Sequence, residues 1–204
     1  MTWYIIRHAD KEAGSFYNAR LRHSDPPLSA KGRLEAQKLK AYFSEKPITA
    51  IYVSAYQRTL QTIQEVAGQH NLTPIVDDRL NEIDNGIIEG LADLELQQEY
   101  PDIWKAFIER KTDFRFPEGE TGAEAQQRMI NFFAEKLPAH GEADIILVSH
   151  DGLIRALMCY LMDIPVFKRW NFQIDLCGIV EITYQPAYRA WKLVRFNQKL
   201  VMFD

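Results

Sequence analysis

The sequence has little cysteine, no long hydrophobic run and only a small net charge, and each of these scarcities excludes a class of protein. Its two cysteines, Cys159 and Cys177, lie in apolar surroundings without metal-type spacing, so we expect buried free thiols in a reducing compartment. No stretch approaches the length of a membrane span, and no apolar run precedes Arg7 as in a signal peptide. We therefore expect a cytoplasmic protein.

The charge balance limits the partners that the protein can have. The 204 residues contain 24 Lys and Arg against 28 Asp and Glu, which gives a formal net charge of -4. This weak acidic balance argues against general binding to nucleic acid or to anionic membranes, so any cationic site must be local. No composition break, internal repeat or low-complexity segment divides the chain. A single domain over residues 1–204 is therefore expected.

Short hydrophobic segments with the composition of strands alternate along the chain with helical patterns. The predicted strands are residues 3–6, 48–53, 74–76 and 143–148. The predicted helices are residues 30–45, a helix that residues 54–58 open and that continues through Ala67, residues 91–110 with a break at Pro101, residues 123–137 and a segment from about Gly152. Ser29 is the expected N-cap of the first helix, and the apolar stripe of that helix is assigned to Leu34, Leu39, Tyr42 and Phe43.

This alternation predicts an α/β fold of three layers, in which helices cover both faces of a mostly parallel sheet. Residues 178–184 and 188–196 are expected to add antiparallel edge strands. Residues 82–122 are expected to form a helical excursion near the sheet edge. The polar residues 10–27 are expected to form a loop over the end of the first strand.

Cationic and imidazole groups follow three of the predicted strands. Arg7 and His8 come directly after the first strand, Arg58 lies just inside the helix after the second, and His150 follows residues 143–148. The carboxyl ends of parallel strands meet at one edge of a sheet, where open α/β sheets bind ligands. Two guanidiniums and two imidazoles at one edge require an anion, and guanidinium forks match phosphate oxygens. The sequence therefore predicts a phosphate site.

The same groups predict a chemistry. Neighbouring positive charge disfavours protonation of His8, so a free ring nitrogen is available to attack phosphorus. The flanking cations would stabilise charge on the equatorial oxygens, and His150 would donate to those oxygens. Glu82 is the candidate general acid for the leaving oxygen and would later activate water. Three other carboxylates compete with it for that role, namely Asp84, Glu89 and Glu120.

Several ordered segments resemble the signature elements of one family, the histidine phosphatase superfamily, also called phosphoglycerate mutase-like. Arg7-His8 is similar to its Arg-His-Gly signature, with Ala9 in place of glycine. The other matching segments, in family order, are Asp25-Pro26-Pro27-Leu28-Ser29 with Gly32, SAYQRTLQT at residues 54–62, Leu80-Asn81-Glu82, Glu89-Gly90, Gly119-Glu120-Thr121 and Ser149-His150-Asp151-Gly152.

The resemblance implies a mechanism and assigns residues to it. It implies that His8 is phosphorylated, that Glu82 transfers protons, and that no metal or other cofactor takes part. Phosphoryl oxygens would be bound by Arg7, Arg58 and His150.

The resemblance also marks residues around this centre. Asn18 and Arg22 resemble the family's Asn-x-x-x-Arg pair near the substrate, displaced by a short insertion. Asp151 places a carboxylate beside the pocket where the family has glycine, and Ile87-Ile88 replaces a common aromatic. Arg20, Arg22 and His23 form a basic cluster that either contacts the distal part of the substrate or is a solvated loop.

A zinc site is the rival interpretation of the two histidines, with Asp10 and Asp151 as further ligands. Two adjacent guanidiniums would repel the cation, and paired-ligand spacing is missing, so no metal is expected.

The first hypothesis is a metal-independent phosphomonoester hydrolase that acts through phosphohistidine on a small phosphorylated metabolite. The alternatives are a phosphoglycerate mutase, which returns the phosphoryl group to product, and a non-catalytic phosphate-binding or scaffold protein. The short region between Glu82 and Gly119 favours hydrolysis, because a shorter cover leaves the site wetter. The identity of the substrate and the oligomeric state stay open.

Overall fold

The structure is a computed structural model that describes residues 1–140 and 143–200. Its strands are β1 (Thr2–Arg7), β2 (Tyr17–Asn18), β3 (His23–Ser24), β4 (Ile48–Val53), β5 (Ile75–Val76), β6 (Asp144–Ser149), β7 (Ile179–Gln185) and β8 (Ala190–Gln198). Its α-helices are α1 (Ala30–Phe43), α2 (Gln57–Gln69), α3 (Asp93–Glu99), α4 (Pro101–Glu109), α5 (Gly122–His140) and α6 (Asp151–Leu161). Short 3-10 helices cover Asp78–Leu80, Gly86–Ile88 and Val166–Asn171. Among the described residues, none of the helices has the length and apolar character needed to cross a membrane.

Six of the strands form one sheet in the order β5-β4-β6-β1-β7-β8. The first four in this order run parallel, whereas β7 is antiparallel to both of its neighbours. The predicted mostly parallel α/β sheet is therefore confirmed. The predicted antiparallel strands at the C-terminal end are also confirmed: β8 lies at one edge of the sheet, and β7 lies between β8 and β1.

Hydrophobic side chains of the sheet face both ways, which explains the three layers. In β1, Trp3 and Ile5 point into a core with α5 and α6, while Tyr4 and Ile6 point into a core with α1 and α2. This alternation follows from the two-residue period of a strand. Because both faces are covered, the end of β1 is held rigidly, and that end carries the residues of interest.

Helix α1 begins where the sequence predicts, but its buried stripe differs from the predicted one. The Ser29 hydroxyl accepts a hydrogen bond from the Gly32 amide at 3.0 Å, as an N-cap does. Leu34, predicted to be in the stripe, is 64% exposed, and Ala36 is buried in its place together with Leu39 and Phe43. Leu34 lies two residues from Ala36, which turns it about 200° around the helix axis.

The segment between Glu82 and α5 contains the predicted helices and their break. Tyr100 alone separates the end of α3 at Glu99 from Pro101, which begins α4, because proline cannot donate within a helix but fits its first turn. Gly86 has a φ of +58°, and a Cβ there would lie 1.8 Å from the Pro117 carbonyl oxygen. This close approach fixes the chain after Glu82 against the loop that precedes α5.

The predicted loop 10–27 contains a small hairpin of strands β2 and β3. The sequence prediction did not include this hairpin, because two-residue strands are too short to leave a periodic pattern in the sequence. Both cysteines are free and buried, as predicted.

Candidate active site

The register of the sheet brings His8 and His150 together. Arg7 at the end of β1 pairs with Ser149 at the end of β6, and the His8 amide donates to the Ser149 carbonyl at 3.0 Å. The two imidazole rings that follow lie 5.1 Å apart between centroids. His8 is 6% exposed and His150 is fully buried. The predicted convergence of the two histidines at one sheet edge is therefore present.

One ring nitrogen of His8 is held and the other is free for chemistry. The Nδ1 atom lies 2.8 Å from the carbonyl oxygen of Ala9, and a carbonyl only accepts, so Nδ1 carries the hydrogen. The Ala9 amide donates to the Thr62 hydroxyl at 2.9 Å, which fixes the backbone that holds the ring. The neutral ring therefore keeps its lone pair on Nε2.

The surroundings of His8 keep the imidazole uncharged. Burial lowers the pKa of His8 from 6.5 to about 3, and the charge of Arg58 adds to the effect. A neutral ring is the form that can act as a nucleophile at neutral pH.

Both ring nitrogens of His150 have partners. An Arg58 nitrogen, Nη2, donates to Nδ1 at 3.2 Å, because a guanidinium carries donors only. The hydrogen of the neutral ring is therefore on Nε2, which donates to the Ser54 hydroxyl at 2.8 Å. Burial, followed by the charge of Arg58, holds the pKa of His150 well below its ordinary value. The role of His150 as a donor to phosphoryl oxygens stays a prediction, since in this state its Nδ1 is an acceptor.

Arg58 is a buried guanidinium with unused donors. It is 5% exposed, and its Nε and Nη1 atoms have no hydrogen-bond partner among the described residues. The nearest carboxylate is that of Asp25, whose Oδ1 lies 3.7 Å from Nη1. The ring of Tyr56 lies 4.1 Å from its central carbon. Buried donors without partners are costly, and an anion between them would satisfy them.

Arg7 directly precedes His8 and is held by the backbone. Its Nη1 donates to the Ile174 carbonyl at 2.6 Å. The same nitrogen lies 3.7 Å from Oδ1 of Asp151, and Nε has no hydrogen-bond partner among the described residues.

Glu82 lies beside the start of α6, which follows His150. Its carboxylate accepts from the amides of Gly152 at 3.1 Å and Leu153 at 3.0 Å, and from its own neighbour Ile83 at 2.9 Å. A Cβ on Gly152 would lie 2.8 Å from Oε1 of Glu82, so glycine is what permits this approach. Glu82 forms no ion pair within residues 1–140 and 143–200.

The three competing carboxylates are each occupied by another side chain. His23 contacts Glu89 through Nδ1 and Asp84 through Nε2, the latter at 3.2 Å. Glu120 pairs with Arg128 at 2.8 Å. These contacts favour Glu82 over its competitors as the carboxylate available at the centre.

Lys11 is a cation at this site that sequence reasoning missed. Its backbone forms an isolated antiparallel β-bridge with that of Leu28, a few residues beyond the end of β1. Partial burial and then the charge of Arg58 lower the pKa of Lys11, whereas Glu89 and Glu82 oppose that shift. The charge of Lys11 also contributes to the lowered pKa of His8. The only indication in the sequence was that Lys11 lies three residues after His8. A lysine in a polar loop is usually solvated, so this position did not indicate a site residue.

Asn18 and Arg22 lie on the β2–β3 hairpin. The Asn18 amide donates to Oδ2 of Asp25 at 3.0 Å, and its oxygen accepts from the Arg20 amide at 3.0 Å. The Arg22 side chain is 78% exposed and lies 4.0 Å from Glu118. Asn18 is thus linked to Arg58 through Asp25, and the substrate contacts of both residues stay predictions.

The rival zinc ligands are engaged elsewhere. The carboxylate of Asp10 accepts from the Ser29 hydroxyl at 2.6 Å, and that of Asp151 lies between two guanidiniums. Within the part of the chain that the structure describes, no group of three or more His, Cys, Asp or Glu could hold a metal ion.

The chain is similar to known proteins along nearly its whole length. The family model of the histidine phosphatase superfamily (branch 1) matches residues 3–199. Phosphoserine phosphatase 1 of Hydrogenobacter thermophilus is 32% identical over 174 residues, which cover 84% of this chain and 81% of that protein. A Proteus mirabilis protein named "Probable phosphoglycerate mutase GpmB" is 30% identical over 190 residues, or 90% of this chain and 85% of its own.

Solved structures show the same fold. The alpha-ribazole phosphatase from Shigella flexneri superposes with a TM-score of 0.82 at 22% identity, and the match covers 100% of both chains. A mycobacterial glucosyl-3-phosphoglycerate phosphatase superposes with a TM-score of 0.80 at 21% identity, over 98% of this chain and 99% of that one. The sequence-based prediction of a phosphatase-type enzyme is confirmed at the level of the family, and the chain belongs to branch 1 of the histidine phosphatase superfamily.

Proposed function

We propose that the protein is a metal-independent phosphomonoester hydrolase that acts through a phosphohistidine at His8 on a small phosphorylated metabolite. The observation that carries this proposal is the neutral imidazole of His8, with Nδ1–H bound to Ala9 and Nε2 unprotonated. It lies next to a buried guanidinium, Arg58, that has donors without partners. A nucleophile and an anion site side by side are the requirements for phosphoryl transfer.

The first step forms one bond and breaks one. The Nε2 lone pair of His8 attacks phosphorus, the ester P–O bond breaks, and the leaving oxygen takes a proton from Glu82. Arg7 and Arg58 bind the equatorial oxygens, on which the charge of the transition state lies, and His150 joins them as a donor in the state that carries a hydrogen on Nδ1.

The second step restores the enzyme. Water gives a proton to the carboxylate of Glu82 and attacks phosphorus, the P–N bond breaks, and inorganic phosphate leaves. His8 returns to its neutral form and Glu82 to its acid form. The amides of Gly152 and Leu153 donate to the carboxylate of Glu82 and favour its ionised form, which is the form that takes the proton from water in this step.

A chromogenic ester separates hydrolysis from the scaffold alternative. In the presence of a chelator, the wild type should release phosphate from p-nitrophenyl phosphate, and His8→Ala should not. Rapid quenching with ³²P-labelled substrate should trap an acid-labile adduct on the wild type alone. Equal rates for the two proteins, or no adduct, would reject the phosphohistidine mechanism.

The substitution Glu82→Gln tests the acid. Loss of a proton donor slows the departure of a poor leaving group most, so alkyl phosphates should lose more kcat/KM than p-nitrophenyl phosphate. Equal losses on both esters would remove Glu82 from this role.

A phosphoglycerate mutase remains the second candidate, because a relative of 30% identity carries that name. Incubation with 3-phosphoglycerate distinguishes the two, since a mutase forms 2-phosphoglycerate faster than free phosphate. The relative named phosphoserine phosphatase makes O-phosphoserine the first ester to include in a metabolite panel. The predicted contacts of Asn18 and Arg22 with the distal part of the substrate can be tested on the same panel.

A further inference from the structure

A carboxylate lies within the predicted phosphate site, between two guanidiniums. Asp151 is the first residue of α6 and directly follows His150. Its Oδ2 forms an ion pair with Nη2 of Arg155 at 2.7 Å, one helical turn later. Its Oδ1 faces Nη1 of Arg7 at 3.7 Å, is buried, and has no hydrogen-bond partner among the described residues.

Asp151 is not what holds Arg7 in place. The guanidinium of Arg7 donates to the Ile174 carbonyl at 2.6 Å, and its backbone is bound to Cys177 and Gly178 at 3.1 and 3.2 Å. The distance of 3.7 Å to Asp151 is too long for a hydrogen bond. Asp151 therefore acts on Arg7 through its charge, while its close ion pair is made with Arg155.

The other charges at the site make such a counter-charge useful. Arg7, Arg58 and Lys11 are positive, and inorganic phosphate presents the same kind of oxygens as the group that is transferred. A site with that much positive charge binds inorganic phosphate about as strongly as it binds the phosphoryl group of the substrate. The product is then retained, and binding energy of this kind does not speed turnover. A fixed negative charge next to Arg7 weakens the hold on a free dianion.

We propose that Asp151 sets the charge of the phosphoryl site, by offsetting Arg7 so that inorganic phosphate is released quickly. This inference rests on the proposed function. Asp151 acts on the phosphoryl group only through its effect on the charge of Arg7, and it takes no part in bond making. Arg155 is its counterpart, because it neutralises Asp151 from the other side.

Two substitutions test the proposal with opposite signs. Asp151→Asn removes the charge and keeps an oxygen that can accept from Arg155, so the inhibition constant of inorganic phosphate should fall about five- to twentyfold. Arg155→Met leaves Asp151 less neutralised, so the same constant should rise. Glu109→Gln changes the net charge by the same amount as Asp151→Asn, but at the exposed end of α4. This control should leave the inhibition constant of inorganic phosphate unchanged.

The experiment measures phosphate inhibition of p-nitrophenyl phosphate hydrolysis, together with direct calorimetric titration of each protein with inorganic phosphate at pH 8. Cooperative melting curves check that each variant is folded. We expect tighter phosphate binding by Asp151→Asn, and a pre-steady-state burst as release becomes limiting. Calorimetry needs no turnover, so this inference can hold or fail separately from the hydrolase proposal, which fails if His8→Ala matches the wild type.

Three results would overturn the role of Asp151. The first is unchanged or weaker phosphate binding in a folded Asp151→Asn. The second is a selective loss of activity on alkyl esters in that variant, which would identify Asp151 as a proton donor. The third is an absence of phosphate binding by all of the proteins.

Discussion

The His150 ring donates from Nε2 to the hydroxyl of Ser54 across 2.8 Å, and a chain of hydroxyls fixes the direction of that bond. The Thr59 hydroxyl donates its single hydrogen to the Tyr56 carbonyl at 2.7 Å. Ser54, 3.0 Å from Thr59, must then donate to it, and so accepts from His150. The lone pair of the ring is thereby directed through Nδ1 toward Arg58.

We expect Ser54→Ala to lower kcat about 10- to 100-fold, because outer partners that orient a catalytic imidazole carry effects of that size. Thr59→Val should give a smaller loss, since Ser54 then keeps its bond to His150 but loses its own acceptor. Steady-state kinetics on p-nitrophenyl phosphate measures both. Ser44→Ala, at the exposed end of α1, is the matched control. A wild-type kcat and pH profile in Ser54→Ala would show that this bond does not orient the ring.

The buried histidines should make the fold sensitive to acid. The pKa of His8 is about 3 in the folded state against 6.5 ordinarily, so below pH 6.5 the unfolded chain takes up a proton that the folded chain does not. The free energy of unfolding should therefore fall as the pH decreases from about 6.5 toward 3. Urea titrations at several pH values measure this slope, and His8→Asn should flatten it. An NMR signal of His8 that titrates near pH 6.5 would contradict the expectation.

The unused donors of Arg58 should cost stability that phosphate restores. Each buried donor without a partner costs about 1–3 kcal/mol, so Arg58→Met should be at least as stable as the wild type in phosphate-free buffer. Phosphate should raise the Tm of the wild type and leave that of the variant unchanged. Differential scanning calorimetry with and without phosphate tests both statements. A variant that is less stable but still stabilised by phosphate would assign Arg58 to the core of the fold instead.

Lys11 should contribute to substrate capture. Its ammonium adds to the positive charge that acts on His8 and is not fixed by an ion pair in the described structure, so Lys11→Met should raise KM about three- to tenfold with little change in kcat. Lys11→Arg keeps the charge and should keep most of the affinity. The salt dependence of kcat/KM should be weaker in Lys11→Met. Lys31→Met on the exposed side of α1 serves as control, and identical KM values in both methionine variants would exclude the role.

The residues at the carboxyl edge of the sheet could be predicted from the sequence, because their placement depends only on the strands that they follow. Each of the residues Arg7, His8 and His150 directly follows a hydrophobic strand, and parallel pairing then places them at one edge. Arg58 lies in the first turn of the helix after β4, so the same reasoning reaches it.

The remainder depended on contacts between distant parts of the chain. Lys11 is placed by its bridge with Leu28, and Glu82 is favoured over Asp84 because His23 occupies the latter. The exposure of Leu34 depends on which face of α1 the sheet covers. Hydrophobic periodicity does not predict these contacts, since it shows which residues are apolar but not which residues they pack against.

The close fit between Gly152 and Glu82 has an evolutionary consequence. Position 152 tolerates a side chain only if the carboxylate at position 82 moves away or is replaced by a shorter group. The two positions should therefore vary together among homologous chains, with glycine retained wherever glutamate is present. A lineage that replaces Glu82 loses the reason for keeping Gly152, and the start of α6 is then free to diversify.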